Sequence, residues 1–208
     1  AQTLAADAAE QERAGVYDPD AHRSLVDELD RILVHYASLQ TPVLLEALEH
    51  DLVVPVPSRR GDRASTAYRF RSKFDGIHVD DAGRVWLVEF KLRDDLSSYE
   101  QVAIGRQIRW YAYSYQRAYG RPVAGVIVDE RRAVAPRPVA LLKSGGPSHD
   151  KRQLVTPEAY LEACAAAGEE PKAEALDAFR QRRWQARHVV LLRPAEVAEA
   201  GRQIASTA

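Results

Sequence analysis

The spacing of apolar residues along the chain predicts alternating helices and strands. Apolar positions three and four apart predict a helix from Ser24 to about residue 50, with a break at Thr41-Pro42 and a second helix that begins at Pro42. Short apolar runs predict strands at 52–56, 68–79 and 85–91. A continuous apolar run at 122–128, which ends at Asp129, is typical of a buried strand.

Capping and turn residues place the helices of the second half. Ser97 or Ser98 predicts the N-cap of a helix that runs to about residue 119 and ends at Gly120. Thr156-Pro157 predicts the start of a helix to about 167, and a further helix covers about 172–186. Residues 189–192 fit either a late strand or an extended segment, and Pro194 begins a last helix.

Composition indicates a globular protein. A chain of 208 residues with 46% hydrophobic and 28% charged residues suits one domain with a sizeable core. No apolar run approaches the length of a membrane span, and the N-terminus has no signal-peptide layout. The one cysteine, Cys164, excludes an internal disulfide and fits a reducing compartment. We expect a soluble, cytoplasmic protein with one domain over 1–208, made of an N-terminal extension (1–20), a core (24–135) and a helical C-terminal extension (136–208).

Charge is distributed unevenly along the chain. Residues 1–51 carry three Arg against eleven acidic residues, whereas residues 101–152 carry ten basic against three acidic residues. A basic stretch of this kind suits a phosphate-facing surface, although a solvated helix face balanced by the acidic N-terminus is an equally good interpretation. The first interpretation predicts nucleic-acid contacts from Arg106, Arg109, Arg117, Lys143 and Lys151. Lys143 and Lys151 bracket a loop with Gly145-Gly146, which also fits an ordinary surface loop.

Three residues around a predicted hairpin carry the strongest chemical signal. Asp75 lies in one strand and Glu89-Phe90-Lys91 in the next, with the turn-forming residues 80–84 between them. Side chains alternate along a strand, so Glu89 and Lys91 leave the same face, and Asp75 can approach Glu89 across the hairpin. Two carboxylates are natural ligands of a divalent cation. The alternative is an ordinary surface Glu–Lys pair.

The use of lysine supports the first interpretation. Of the 29 basic residues only five are Lys, so a generic surface cation in this chain would usually be Arg. The occurrence of Lys instead of Arg at position 91 therefore indicates that this position requires a compact, point-like donor, which the planar guanidinium of Arg does not supply.

The residues Asp75 and Glu89-Phe90-Lys91 resemble the D…(D/E)-x-K signature of the PD-(D/E)XK nuclease superfamily. Gln107-Ile108-Arg109-Trp110-Tyr111 resembles the Q-x-x-x-Y helix of its RecB-like exonuclease branch. The resemblance covers about 44–130, and 142–151 looks like the C-terminal part of phage-encoded members. It implies an α/β restriction-endonuclease-like core with a mixed central sheet flanked by helices and a helical C-terminal extension.

The resemblance also implies a set of site residues. Asp75, Glu89 and the Phe90 carbonyl would hold Mg²⁺ or Mn²⁺, Lys91 would assist catalysis, and Gln107 and Tyr111 would face the site. Tyr111 also fits a plain core position. An early-helix acid or His adds a metal contact in this family, and Glu46, Glu49 and His50 are the candidates, with Glu46 preferred. Four cysteines hold an iron–sulfur cluster in many members, and a single Cys164 excludes that cluster here.

These observations predict a metal-dependent deoxyribonuclease, either an exonuclease or a nuclease guided by ends or structure, of phage or prophage origin. Its partner would be DNA, as single strands or ends, with no membrane and with a possible homo-oligomer or larger phage or recombination assembly. Two alternatives remain open. One is a catalytically idle member of the fold that acts as a DNA-binding or phage-particle component, and the other is a hydrolase of a different phosphate ester.

Overall fold

The computed structural model describes residues 18–39, 43–58 and 63–207. The chain divides into two compact units. The core unit comprises 42–132 and 183–208, and the second unit comprises 1–41 and 133–182. The predicted extension over 1–20 lies almost entirely outside the described residues, and the prediction of one nuclease domain over 1–208 stays a prediction.

Within the described residues, the core unit contains one five-stranded sheet in the order β1-β2-β3-β4-β5. The strands are β1 (Ala47–Pro57), β2 (Ala64–Val79), β3 (Val85–Arg93), β4 (Val123–Arg132) and β5 (Gln185–Leu191). Neighbours pair antiparallel except for β3 and β4, which are parallel. A parallel pair needs a crossover connection, and the helices between β3 and β4 supply it.

The sheet is flanked by three helices of the core unit: α2 (Tyr99–Ala103), α3 (Arg106–Tyr119) and α6 (Pro194–Thr207). Ile108 and Tyr115 of α3, together with Val197 of α6, enter the main hydrophobic core, where they meet Leu87 and Val126 of the central strands. Helix α3 ends at Gly120, whose φ of 67° lies in the left-handed region that favours glycine. The predicted class, α/β with a mixed central sheet and flanking helices, is confirmed.

The second unit contains helices α1 (Pro19–Leu39), α4 (Pro157–Ala167) and α5 (Ala173–Gln181). Helix α4 begins as predicted, because the Thr156 hydroxyl accepts from Ala159 N at 3.2 Å and Pro157 takes the first position. A small core of Tyr160, Cys164 and Phe179 lies between α4 and α5. No helix among residues 18–39, 43–58 and 63–207 is long and apolar enough to cross a membrane.

Two helix predictions are wrong. The predicted break at Thr41-Pro42 lies outside the described residues, but residues 43–46 form no helix and residues 47–50 belong to β1 instead of the predicted second helix. Pairing with the 16-residue strand β2 overrides the helical apolar spacing, and the ladder begins with Glu46 N donating to Ile77 O at 2.7 Å. Helix α1 begins before Ser24, because the Asp18 carboxylate accepts from Asp20 N at 2.9 Å.

Two further boundaries need correction. The single helix predicted from 97 or 98 to 119 breaks at Ile104-Gly105, so that a short capped helix precedes α3. Within the predicted helical extension over 136–208, the helix expected over about 172–186 ends at Gln181. The late strand that residues 189–192 allowed is present as β5, which begins at Gln185, pairs with β4 and returns the chain to the core unit. Residues 185–191 alternate between buried and more exposed positions, which is the period of a strand packed on one face.

Candidate functional site

The β2–β3 hairpin brings Asp75 and Glu89 together as predicted. The pairing runs from Val79↔Val85 to Gly76↔Val88, so Asp75 and Glu89 are the next facing residues. Asp75 Oδ2 accepts from Phe90 N at 2.7 Å. At the end of the β2–β3 pairing, the Asp75 carboxylate thus accepts the hydrogen bond of a backbone N–H on β3. This bond fixes the position of the carboxylate beside Glu89.

Lys91 lies on the same face of β3 as Glu89. Its Nζ is 3.8 Å from Glu89 Oε1 and donates to Gln107 Oε1 at 2.9 Å. The Lys91 side chain is 23% exposed and that of Glu89 is 11% exposed. The ammonium group is therefore held between a strand carboxylate and a helix amide, with an opening to solvent.

Helix α3 supplies the other wall of this cluster. Gln107 Nε2 lies 3.4 Å from Glu89 Oε1 and also donates to the Tyr111 hydroxyl, one helical turn further on. Tyr111 is half-buried, and its ring centroid lies 5.9 Å from that of the fully buried Phe74. Tyr111 is therefore both a packing residue and a member of the polar network. Asp75, Glu89, Lys91, Gln107 and Tyr111 are called the carboxylate–lysine cluster below.

The electrostatics of this cluster are those of a site that lacks positive charge. Burial, and after it the Asp75 charge, raise the pKa of Glu89 to about 7 against the opposing effect of Lys91. Burial also raises the pKa of Tyr111, and the negative charge of Glu89 adds to that effect. One lysine does not balance two adjacent carboxylates, so the ionised pair is unfavourable until another cation joins it.

This imbalance predicts a pH dependence of stability. The folded protein holds the Glu89 proton more tightly than a free glutamate does, with a pKa of about 7 against 4.5. The favourable contribution is complete below pH 4.5 and is lost as the pH rises through 7. In the metal-free protein, we expect Glu89→Gln to melt close to wild type at pH 4.5 and above wild type at pH 8. A melting difference that stays constant between these pH values would contradict this assignment.

The predicted early-helix metal contact is not on a helix. Glu46 is exposed just before β1, and Glu49 is exposed and pairs with Lys73 at 3.2 Å. His50 stacks on Phe74 with ring centroids 5.5 Å apart, and its Nε2 meets the Tyr119 hydroxyl. Among the described residues, no hydrogen bond or ion pair joins Glu46, Glu49 or His50 to Asp75 or Glu89. The expected early helix is absent, and the metal contact by Glu46 stays a prediction.

The predicted nucleic-acid residues are divided between the two units. Arg106 and Arg117 are exposed on α3 of the core unit, whereas Arg109 pairs with Glu196 at 3.3 Å and is only 24% exposed. Lys143 is exposed in the second unit, and Lys151 there pairs with Glu174 at 2.8 Å. The basic stretch 101–152 is therefore not one continuous element. The ion pair of Arg109 with Glu196 links α3 to α6.

One supporting residue escaped the sequence analysis. Glu130 is fully buried, faces Lys91 on the neighbouring strand, and accepts from both Ser97 N at 2.7 Å and Ser97 Oγ at 2.9 Å. These bonds fix the loop between β3 and α2, and hence the chain that leads from Lys91 to Gln107. The signal was the run Val128-Asp129-Glu130, which continues a buried strand with two carboxylates instead of ending it.

The residues present fit a divalent cation of the magnesium type. Across the described part of the chain, no three or more His, Cys, Asp or Glu side chains are grouped to hold a metal ion by themselves. Mg²⁺ commonly binds through one or two carboxylates and keeps several waters or substrate oxygens. Asp75 and Glu89 meet that requirement, and the backbone of Phe90 is already bonded to Asp75.

Comparison with known proteins does not assign the chain to a family. No protein-family model matches it, and no curated protein sequence matches it. A solved structure described as "Crystal structure of SSO0001" is similar with a TM-score of 0.39 and 11% sequence identity. That match covers 98% of this chain and 68% of the other chain.

Proposed function

We propose that this protein is a Mg²⁺- or Mn²⁺-dependent deoxyribonuclease of the PD-(D/E)XK type, within the RecB-like branch. The observation that carries the proposal is the carboxylate–lysine cluster itself. Lys91 Nζ is 3.8 Å from Glu89 and bonded to Gln107 at 2.9 Å, while Asp75 lies close enough to raise the pKa of Glu89. Residues from two strands and one helix thus meet in the arrangement that the sequence motif predicted.

Asp75 and Glu89 are the residues that would hold the metal, with the Phe90 carbonyl as the third protein oxygen. A divalent cation would supply the positive charge that the two carboxylates lack, lower the pKa of a water nucleophile and offset charge on the scissile phosphate. The bond from Phe90 N keeps one Asp75 oxygen in place and leaves the other for the cation.

Lys91 would stabilise the negative charge that develops on the scissile phosphate. Its Nζ is a charged donor in a partly buried, acidic setting, where a fixed charge acts more strongly than in water. Gln107 holds this ammonium through Oε1, and its amide nitrogen is anchored by Tyr111. Gln107 and Tyr111 therefore position Lys91 and offer neutral donors to the nucleic-acid backbone.

Two observations support the substrate class: the exposed positive charge on α3, and the lack of a dedicated base-reading element among the described residues. Exposed Arg106 and Arg117 on α3 suit contacts to a phosphate backbone, which carry no sequence information. We therefore propose cleavage at DNA ends or on single strands without sequence specificity. The resemblance of 142–151 to phage-encoded members suggests a phage or prophage source.

A substrate panel tests this proposal. The protein with Mg²⁺ or Mn²⁺ is incubated with linear duplex DNA, closed circular duplex DNA, single-stranded DNA and a small phosphodiester such as bis(p-nitrophenyl) phosphate. We expect degradation of linear and single-stranded DNA, and much slower turnover of the closed circle and the small ester. Fast turnover of the small ester alone would favour a different phosphate-ester hydrolase. Tight DNA binding without any cleavage would favour an idle member of the fold.

A further inference from the structure

A second polar depression lies in the core unit, away from the carboxylate–lysine cluster. It has a volume of about 750 Å³ and lies between the β1–β2 hairpin, the C-terminal half of α3, and α6. The walls include Ser58 and Arg63 from the hairpin, Gln116 and Arg117 from α3, and Arg202 from α6. A neighbouring depression of about 540 Å³ shares Ser58 and Arg63 and extends the first one along β2 to Tyr68. The two together are called the arginine groove.

The charge of the arginine groove is positive. Among the described residues that line it there is no Asp or Glu. Arg63 and Arg117 are exposed, and no described carboxylate lies within 4.0 Å of either guanidinium, whereas Arg202 pairs with Glu199 on its own helix. Guanidinium groups that line one depression repel each other, and an anion relieves that repulsion.

An aromatic side chain accompanies these cations. Tyr68 on β2 is 54% exposed, and its ring lies outside the hydrophobic clusters that the described residues of the core unit form. An exposed aromatic ring beside a positively charged groove is the arrangement by which proteins bind single-stranded nucleic acid, because bases stack on the ring while phosphates meet the cations.

The length of the groove favours a strand over a single small anion. The two depressions share a rim, and their cations and Tyr68 are spread along the hairpin, α3 and α6. Arg117 of α3 lines the first depression, Tyr68 of β2 lines the second, and Arg63 lines both. A ligand that reaches all three must itself be extended, as a strand of several nucleotides is.

We infer that the arginine groove binds a single strand of DNA at a distance from the carboxylate–lysine cluster, with Arg63 and Arg117 on phosphates and Tyr68 stacked on a base. This inference rests on the proposed function, since it gives the substrate a second binding surface. It also extends that function, because binding here would hold a single-stranded segment while another part of the same molecule is cut.

The test measures binding without cleavage. A fluorescent single-stranded DNA 12-mer is titrated in EDTA at several salt concentrations with wild type, Arg63→Ala/Arg117→Ala, Tyr68→Ala and Tyr68→Phe. Each lost phosphate contact flattens the salt dependence by about 0.7 for single strands, so the double variant should lose about 1.4 from the slope. Tyr68→Ala should weaken binding at least about fivefold, and Tyr68→Phe should restore it because the ring remains.

Arg23→Ala is the matched control, since the Arg23 side chain is 75% exposed on α1 and its one ion pair among the described residues is with the exposed Asp20. It should bind the 12-mer like wild type. Wild-type affinity and slope in the double variant would overturn the inference. Displacement of the 12-mer by deoxyadenosine monophosphate at equal phosphate concentration would also overturn it, because the groove would then take small anions. If the groove variants weaken binding as expected but wild type cleaves no DNA with either metal, the proposed function is refuted and the inference about the groove stands.

Discussion

Replacing Lys91 by Ala is expected to lower the rate of metal-dependent DNA cleavage at least about 100-fold, the usual loss when a principal charge-stabilising donor is removed. The reason is the position of its ammonium group, which Gln107 Oε1 holds at 2.9 Å at the edge of the carboxylate pair. Metal binding should survive, because Asp75 and Glu89 remain. The measurement is single-turnover cleavage of a labelled oligonucleotide at saturating Mg²⁺.

Lys73→Ala is the matched control for this variant. Lys73 also pairs with a glutamate, Glu49, at 3.2 Å, but its side chain is 56% exposed. An exposed pair of this kind contributes little to stability, so Lys73→Ala should cleave like wild type. If Lys91→Ala cleaves as fast as Lys73→Ala, then Lys91 has no part in the reaction.

Replacing Asp75 by Asn is expected to abolish stabilisation by the metal. A ligand at 100 times its dissociation constant adds about 2.7 kcal/mol to a folded protein, which is roughly 5–10 °C in melting temperature for a chain of this size. Wild type should show such a rise with Mg²⁺ or Mn²⁺, and Asp75→Asn should show none. The asparagine oxygen can still accept from Phe90 N, so the hairpin keeps its hydrogen bond.

Asp51→Asn serves as the control for this change. Asp51 pairs with Arg71 on the neighbouring strand, and its side chain is 38% exposed. The substitution therefore removes a carboxylate from the same sheet and leaves the carboxylate–lysine cluster unchanged. It should keep the full rise with metal. An equal rise in Asp75→Asn and wild type would place the metal elsewhere, and the proposed catalytic role of Asp75 would then fail.

The candidate site could be predicted from the sequence because strand alternation, hairpin register and helical spacing are enough to bring its residues together. Alternation along β3 places Glu89 and Lys91 on one face, and the short turn over 80–84 fixes the register that brings Asp75 opposite Glu89. A spacing of four residues likewise places Gln107 and Tyr111 on one face of α3, where their side chains form a hydrogen bond. Such contacts depend on residues close in sequence or joined by one turn, and a pattern in the chain is enough to find them.

The errors arise where distant pairing decides the local structure. Residues 47–50 have helical apolar spacing, yet β2 offers a partner along their whole length and draws them into β1. Likewise β5 begins at Gln185, earlier than the late strand that residues 189–192 allowed, because pairing with β4 extends the strand into the Arg- and Ala-rich sequence near 185. The helix expected around Glu46 is absent for the same reason, whereas a metal contact by Glu46 stays a prediction.

The arginine groove illustrates a further limit of sequence analysis. Arg63, Arg117 and Arg202 are far apart in the chain and lie in three different elements, so no motif joins them. Gly201 lets α6 approach α3 closely, because a Cβ there would lie 2.5 Å from the Tyr113 ring. Only this packing of α6 on α3 brings the three cations to one depression.

The most direct test of the central claim is cleavage of end-labelled linear DNA by wild type and by Glu89→Gln, each with Mg²⁺, with Mn²⁺ and with EDTA. Glutamine keeps the size of the side chain and removes the charge that would hold the cation. We expect wild type to degrade the DNA with either metal and not with EDTA, and Glu89→Gln to leave it intact in all three. Equal degradation by wild type and Glu89→Gln, or no degradation by wild type with either metal, would contradict the assignment of this cluster as a nuclease site.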